Sequence, residues 1–249
     1  MSLRGAPLVL ALLVGFALTG CSGSDESPVL GLPTPAGAAT APSPVPLSAR
    51  LTRPTMLRDA PGGKMLTRLT RRTEFDGATV LAVARREGEW LGVRTHERAN
   101  GKLGWIPAGA AQLERQPYRL RIDLSERELV VVDTGDDKVV RRAPVAIGRP
   151  GTPTPTGAFG ITDRIEAKTD TGPYGCCILA LSGRQPNLPQ GWPGGDRLAV
   201  HATPDEASVG SAASSGCLRA TEKTMRELME IIPLGAPVEI VDGRSRDDE

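Results

Sequence analysis

Ser214-Ser215-Gly216-Cys217-Leu218-Arg219, read together with His201 upstream of it, decides how this chain is understood. Cys217 can supply a thiol nucleophile and His201 its base, while Gly216 is a position where backbone amides can approach a developing oxyanion closely. The chain holds one other histidine, His96, more than a hundred residues upstream in a segment of different character, and it reads as a surface residue and not a ligand. A Cys/His enzyme therefore has one pair to use. The bland alternative is an inert buried thiol beside a satisfied core histidine, and the surrounding sequence decides against it.

Upstream, Tyr118 to Leu124 alternates apolar and polar residues, and Leu129 to Val132 is a mostly β-branched run. Thr134-Gly135-Asp136-Asp137 separates that run from Val139-Val140, so the pattern predicts a meander of antiparallel strands. Pro144 to Gly148 leads to Pro153-Thr154-Pro155-Thr156-Gly157-Ala158-Phe159, a turn ahead of an aromatic strand. Proline and glycine account for that turn, and it is assigned no catalytic role. Downstream, Thr221 is a good N-cap, and Met225, Leu228, Met229 and Ile232 recur at helical spacing until Pro233 and Gly235 end the helix. The methionines read as core. Pro237 to Val241 reads as a closing strand and residues 243–249 as a charged tail.

The run from Ala199 to Val241 resembles the C-terminal half of the L,D-transpeptidase catalytic domain. The family pattern there is a histidine, a spacer, Ser/Thr-His-Gly-Cys, a hydrophobe, then Asn or Arg. His201, Ser214, Gly216, Cys217, Leu218 and Arg219 match it. Ser215 departs from it, because the family usually carries a second histidine before the glycine. The turn from Pro153 resembles the family's Thr-Pro-Thr-Gly turn, and the likeness runs from Tyr118 to Val241.

The resemblance implies a β-sandwich catalytic domain over residues 116–242 and a set of roles within it. Cys217 attacks, and His201 takes the thiol proton and later serves the departing or incoming amine. The backbone carbonyl of Ala202 orients His201, and the N–H groups of Gly216 and Cys217 bind the oxyanion. Arg219 holds a substrate carboxylate or braces the loop, and Ser214 is counted with the substrate-binding residues while bonding within the loop. The family acts on peptidoglycan stem tetrapeptides. It forms a thioester at the third residue with release of the terminal D-alanine, and passes the acyl group to an amine on a neighbouring stem. With water as acceptor the enzyme is a carboxypeptidase. No cofactor or metal is implied.

At 249 residues and 39% hydrophobic content the chain has room for two modest domains. Arg4, the apolar run Pro7 to Leu18 and Leu18-Thr19-Gly20-Cys21 look like a bacterial lipoprotein signal peptide and lipobox over residues 1–21, with Cys21 the lipidated residue. The expected location is the outer face of the cytoplasmic membrane, facing the cell wall or periplasm. Loss of Arg4 leaves 29 basic and 29 acidic side chains, which argues against capture of nucleic acid. Residues 22–48, rich in Ser, Pro and Ala, predict a disordered tether.

Residues 49–115 show short strands broken by Pro61-Gly62-Gly63 and Asn100-Gly101, a small all-β module that resembles a bacterial Src-homology-3-like barrel. Trp90 and Trp105 fill its core or bind cell-wall peptides. The expected fold class is thus all-β throughout, with one short helix. Cys176 and Cys177 are adjacent, unlike the ligands of ordinary zinc sites, and form a disulfide or remain two thiols. With Cys21 lipidated, Cys176, Cys177 and Cys217 are an odd number, so at least one thiol stays free, and a free Cys217 is what catalysis requires. Two other functions compete with the enzyme: a non-catalytic wall-binding lipoprotein, and a redox sensor built on Cys176 and Cys177.

Overall fold

A computed structural model of the chain describes residues 45–166, 172–188, 191 and 195–243. The expected signal peptide and lipidated Cys21, most of the 22–48 tether, and residues 244–249 of the tail lie outside the described residues. Among the described residues there are seventeen strands and one α-helix, so the chain is mainly β. No helix there is long and apolar enough to cross a membrane.

The first sheet contains β1 (Leu47–Leu51), β2 (Thr55–Arg58), β3 (Met65–Leu69), β4 (Val80–Glu87), β5 (Trp90–Val93), β6 (Gly104–Pro107) and β7 (Ala111–Arg115). Their spatial order is β3-β2-β6-β5-β4-β1-β7. Period-two alternation turns Ala49, Leu51, Leu57, Leu91, Val93 and Ile106 into one core. Trp105 is buried, whereas Trp90 is half-buried beneath the guanidinium of Arg58. β1 starts at Leu47, inside the stretch expected to be tether. Ser48, the last residue of that stretch, is fully buried in the strand.

The second sheet begins with the expected meander, β8 (Tyr118–Asp123), β9 (Glu128–Asp133) and β10 (Val139–Pro144), paired antiparallel. After it come β11 (Ile147–Gly148), β12 (Gly157–Glu166), β13 (Cys177–Arg184), β14 (Arg197–Ala202), β15 (Ala212–Ser214), β16 (Leu218–Ala220), α1 (Glu222–Ile231) and β17 (Pro237–Val241). The eight-stranded order is β10-β9-β8-β17-β12-β13-β14-β16, and β11 pairs with β15 separately. Thr221 caps α1, its hydroxyl accepting the Thr224 N–H at 3.2 Å. Met225, Leu228 and Met229 pack on Leu179, Leu181 and Val200, each large side chain contributing about 2 kcal/mol of apolar burial.

Residues 43–249 form one compact unit, and the join between the two sheets is polar and specific. Gln116 Nε2 donates to Ser48 Oγ at 2.6 Å, and Asn100 Nδ2 donates to the Arg184 carbonyl at 2.7 Å. Arg94 donates to the Ala158 carbonyl at 2.8 Å. His96 belongs to this join and is not a surface residue: its side chain is 17% exposed, and the Arg184 Nε–H donates to its carbonyl at 2.6 Å. Burial, with Arg197 nearby, holds its imidazole below the usual histidine range against the pull of Glu97 and Glu74.

Candidate active site

β14 reads Arg-Leu-Ala-Val-His-Ala, and alternation sends Leu198, Val200 and Ala202 into the core. Arg197, Ala199 and His201 therefore share the opposite face. β16 lies parallel to β14 with Val200 opposite Leu218, His201 opposite Arg219 and Ala202 opposite Ala220. Leu218 and Ala220 are core residues, so Arg219, and Cys217 two residues before it, fall on the face that carries His201. All three line one cleft of about 580 Å³, together with Tyr174, Gln185 and Phe75.

His201 is 3% exposed, and its Nδ1 lies 2.6 Å from the carbonyl oxygen of Ala202, the group expected to orient it. An N–H at Nδ1 donates to that oxygen, which leaves the lone pair at Nε2 to accept a proton. Burial lowers the imidazole pKa to about 4, opposed by the Ala202 hydrogen bond and reinforced by the charge of Arg219. The Tyr174 ring stands edge-on to the imidazole, with centroids 4.9 Å apart. Gly175 makes that approach possible: at φ 59° it has no side chain, and a Cβ there would sit 2.5 Å from the Ala202 Cβ.

Directly after this turn, Cys176 and Cys177 are joined as a disulfide, both buried. Of the two states left open by the sequence the structure holds this one, and among the described residues Cys217 is the free thiol. Its S–H points to the Arg197 carbonyl at 3.7 Å, and the Ala199 N–H faces its sulfur. Burial raises its pKa, and the Ala199 N–H and Arg219 counter only part of that. The resting pair is a neutral thiol beside a neutral imidazole.

The loop before Cys217 is tied by hydrogen bonds of its own. Ser214 is 1% exposed, donates to the Cys217 carbonyl at 2.5 Å and accepts the Gly216 N–H at 3.0 Å. Ser214 thus bonds within the loop, as expected, and also lines the cleft. The Gly216 amide, expected to face the oxyanion, is taken by the same hydroxyl. Arg219 holds the loop through its backbone, exchanging hydrogen bonds with Ala146, while its buried Nε has no hydrogen-bond partner among the described residues.

Residues 117–240 match the model of the L,D-transpeptidase catalytic domain, YkuD. The chain is 32% identical over 145 residues to "Putative L,D-transpeptidase YqjB" of Bacillus subtilis (strain 168), covering 55% of this chain and 77% of that protein. The chain belongs to the L,D-transpeptidase (YkuD) family. It is also 32% identical over 124 residues to "Putative L,D-transpeptidase YkuD" of Bacillus licheniformis, and spans 66% of that relative's length and 50% of its own. Among solved structures it resembles L,D-transpeptidase 3 from Mycobacterium tuberculosis, with a TM-score of 0.42 and 14% identity over 56% of this chain and 74% of that one.

Within this L,D-transpeptidase domain, several supports of the loop escaped sequence reading. Thr154 accepts the Gly148 N–H at 2.8 Å and donates to the Gly216 carbonyl at 2.9 Å. The Thr152 hydroxyl reaches the Ser214 carbonyl at 3.3 Å. The turn read as purely conformational therefore positions the loop. Gln185, 4% exposed, donates from Nε2 to the carbonyls of Pro153 at 2.9 Å and Ser215 at 3.3 Å. Gly216 has φ 120°, and a Cβ there would meet Gln185 Nε2 at 2.0 Å. Where the family has its second histidine, the Ser215 hydroxyl accepts from Arg149 at 3.5 Å. No group of three His, Cys, Asp or Glu that could hold a metal occurs among the described residues.

Proposed function

We propose that this chain is a peptidoglycan L,D-transpeptidase that works through a Cys217 thioester. Cys217 attacks the carbonyl of the donor's third residue as its thiol proton passes to His201 Nε2. The Cys217 N–H supports the oxyanion. Collapse breaks the peptide bond, and His201 returns the proton to the departing D-alanine amine. An amine from a neighbouring stem then attacks the thioester, gives a proton to His201 and expels the sulfur, which is reprotonated. Water in place of the amine gives a carboxypeptidase. Arg219, which lines the cleft, holds a substrate carboxylate.

The observation that carries this reading is the shared face of β14 and β16. It sets Cys217, Arg219 and a His201 whose Nδ1 is tied to Ala202 along one cleft. The protein works as an exported lipoprotein, anchored through Cys21 at the outer face of the cytoplasmic membrane, with its first sheet a Src-homology-3-like module. The test is incubation with disaccharide tetrapeptide followed by mass analysis. Cross-linked dimer supports a transpeptidase, tripeptide alone a carboxypeptidase, and unchanged substrate refutes both.

A further inference from the structure

The cleft beside Cys217 is not built by the second sheet alone. Phe75 lines it, and Phe75 belongs to the loop between β3 and β4 of the first sheet. That loop is anchored from within and from below. Thr73 N–H donates to the Gly77 carbonyl at 2.9 Å and Asp76 N–H to the Thr73 carbonyl at 3.0 Å. The Thr73 hydroxyl donates to Asp163 Oδ1 at 2.5 Å, on a carboxylate only 2% exposed in β12. Glu74 pairs with Arg197 at 2.6 Å, and the same guanidinium reaches Asp163 at 3.3 Å and the Thr162 hydroxyl at 2.7 Å.

Between these anchors and the turn's close, Phe75 is left 51% exposed. A large ring held toward solvent by a pinned loop loses apolar burial that a looser loop would recover. The cost is understandable if the ring covers something that arrives. Around it the cleft is lined by Ile165, Pro173, Tyr174, Ile178 and Leu188. The nearby charges are neutralised in place, Arg197 by Glu74 and Asp163, and Asp196 by Arg184 at 2.5 Å. Such a wall suits uncharged aliphatic groups and repels none of them.

We propose that Phe75 is a specificity-determining residue of the catalytic cleft, the apolar wall against which an aliphatic part of the peptide donor lies. The first sheet is then a working part of the substrate site. This rests on the transpeptidase reading given above. The test is steady-state turnover of disaccharide tetrapeptide by the full chain and its Phe75→Ala and Phe75→Leu variants, with unfolding midpoints measured beside it. Phe75→Ala raises KM at least threefold with kcat within about twofold, its midpoint stays at the parent value, and Phe75→Leu recovers most of the loss. Thr73→Val, which frees the loop from Asp163, raises KM in the same direction. An active parent whose KM is unmoved by Phe75→Ala overturns this proposal and leaves the transpeptidase standing. A parent that leaves the tetrapeptide unchanged overturns the transpeptidase, and Phe75's role with it.

Discussion

The Nδ1 nitrogen of His201 lies 2.6 Å from the carbonyl oxygen of Ala202, its own successor in β14. A neutral imidazole is required for this arrangement to accept a proton, and burial lowers the pKa to about 4. The acid limb of kcat/KM is therefore expected near pH 4, well below that of an ordinary histidine, with the alkaline limit set by a thiol pushed above its usual range. A pH-rate profile checks it. An acid limb near pH 6.5 refutes the neutral pair.

The same shift acts on stability, with the opposite group of protons in view. Above pH 6.5 the imidazole is neutral in both folded and unfolded chains and contributes nothing. Between pH 6.5 and about 4 the unfolded chain binds the proton that the folded chain refuses, so stability falls as pH falls. The loss approaches ~3 kcal/mol at the lower end. Denaturant titrations of the parent and His201→Gln across this range read it directly: the slope attributable to this group disappears in the variant.

Cys217→Ala and His201→Ala are each expected to abolish turnover while the fold persists, since the two groups act as a unit. Activity in Cys217→Ala above a tenth of the parent's would remove Cys217 from the mechanism.

A carbapenem, whose strained lactam resembles an activated acyl donor, is expected to add once and at Cys217. Cys176 and Cys177 are tied to each other and buried, so neither offers a thiol. Peptide mass spectrometry locates the adduct. Cys176→Ser is expected to retain thioester formation, and its loss in a folded variant would mean that the disulfide is required by the site.

Gly216→Ala is expected to be damaging although it adds one methyl group. The residue sits at φ 120°, and its new Cβ meets the Gln185 amide. Strain of about 1–3 kcal/mol is expected, with kcat/KM reduced more than tenfold because the Cys217 N–H shifts with the loop. Equilibrium unfolding and turnover of the variant measure the two effects separately.

The strands were legible from different cues, alternation in Tyr118 to Leu124 and a β-branched run in Leu129 to Val132, while Thr221 marks the start of α1. His201 and Cys217 were legible because scarce residue types stood in a recognisable pattern. Gln185 and Thr154 were not, since an isolated glutamine or a threonine in a proline-rich turn looks like ordinary polar sequence until its neighbours across the cleft are known. Ser214 was legible as a loop residue, since a serine two residues before a glycine readily bonds within a turn. His96 was misread. Its loop is polar by sequence, and its burial comes from Arg184 and Glu74, which are distant along the chain.

Asp163 carries a consequence for how the chain can be divided. Its carboxylate is buried beneath a loop from the other sheet, with the Thr73 hydroxyl as one of its hydrogen-bond donors and Arg197 as its counter-charge. A chain cut at residue 116 would bare that carboxylate to water, strip Arg197 of Glu74 and leave Gln116 without Ser48. The Arg197 carbonyl, which faces the Cys217 thiol, would lose part of what steadies its strand. The boundary that sequence composition suggests as a natural place for shortening is thus the seam that a minimal enzyme must keep.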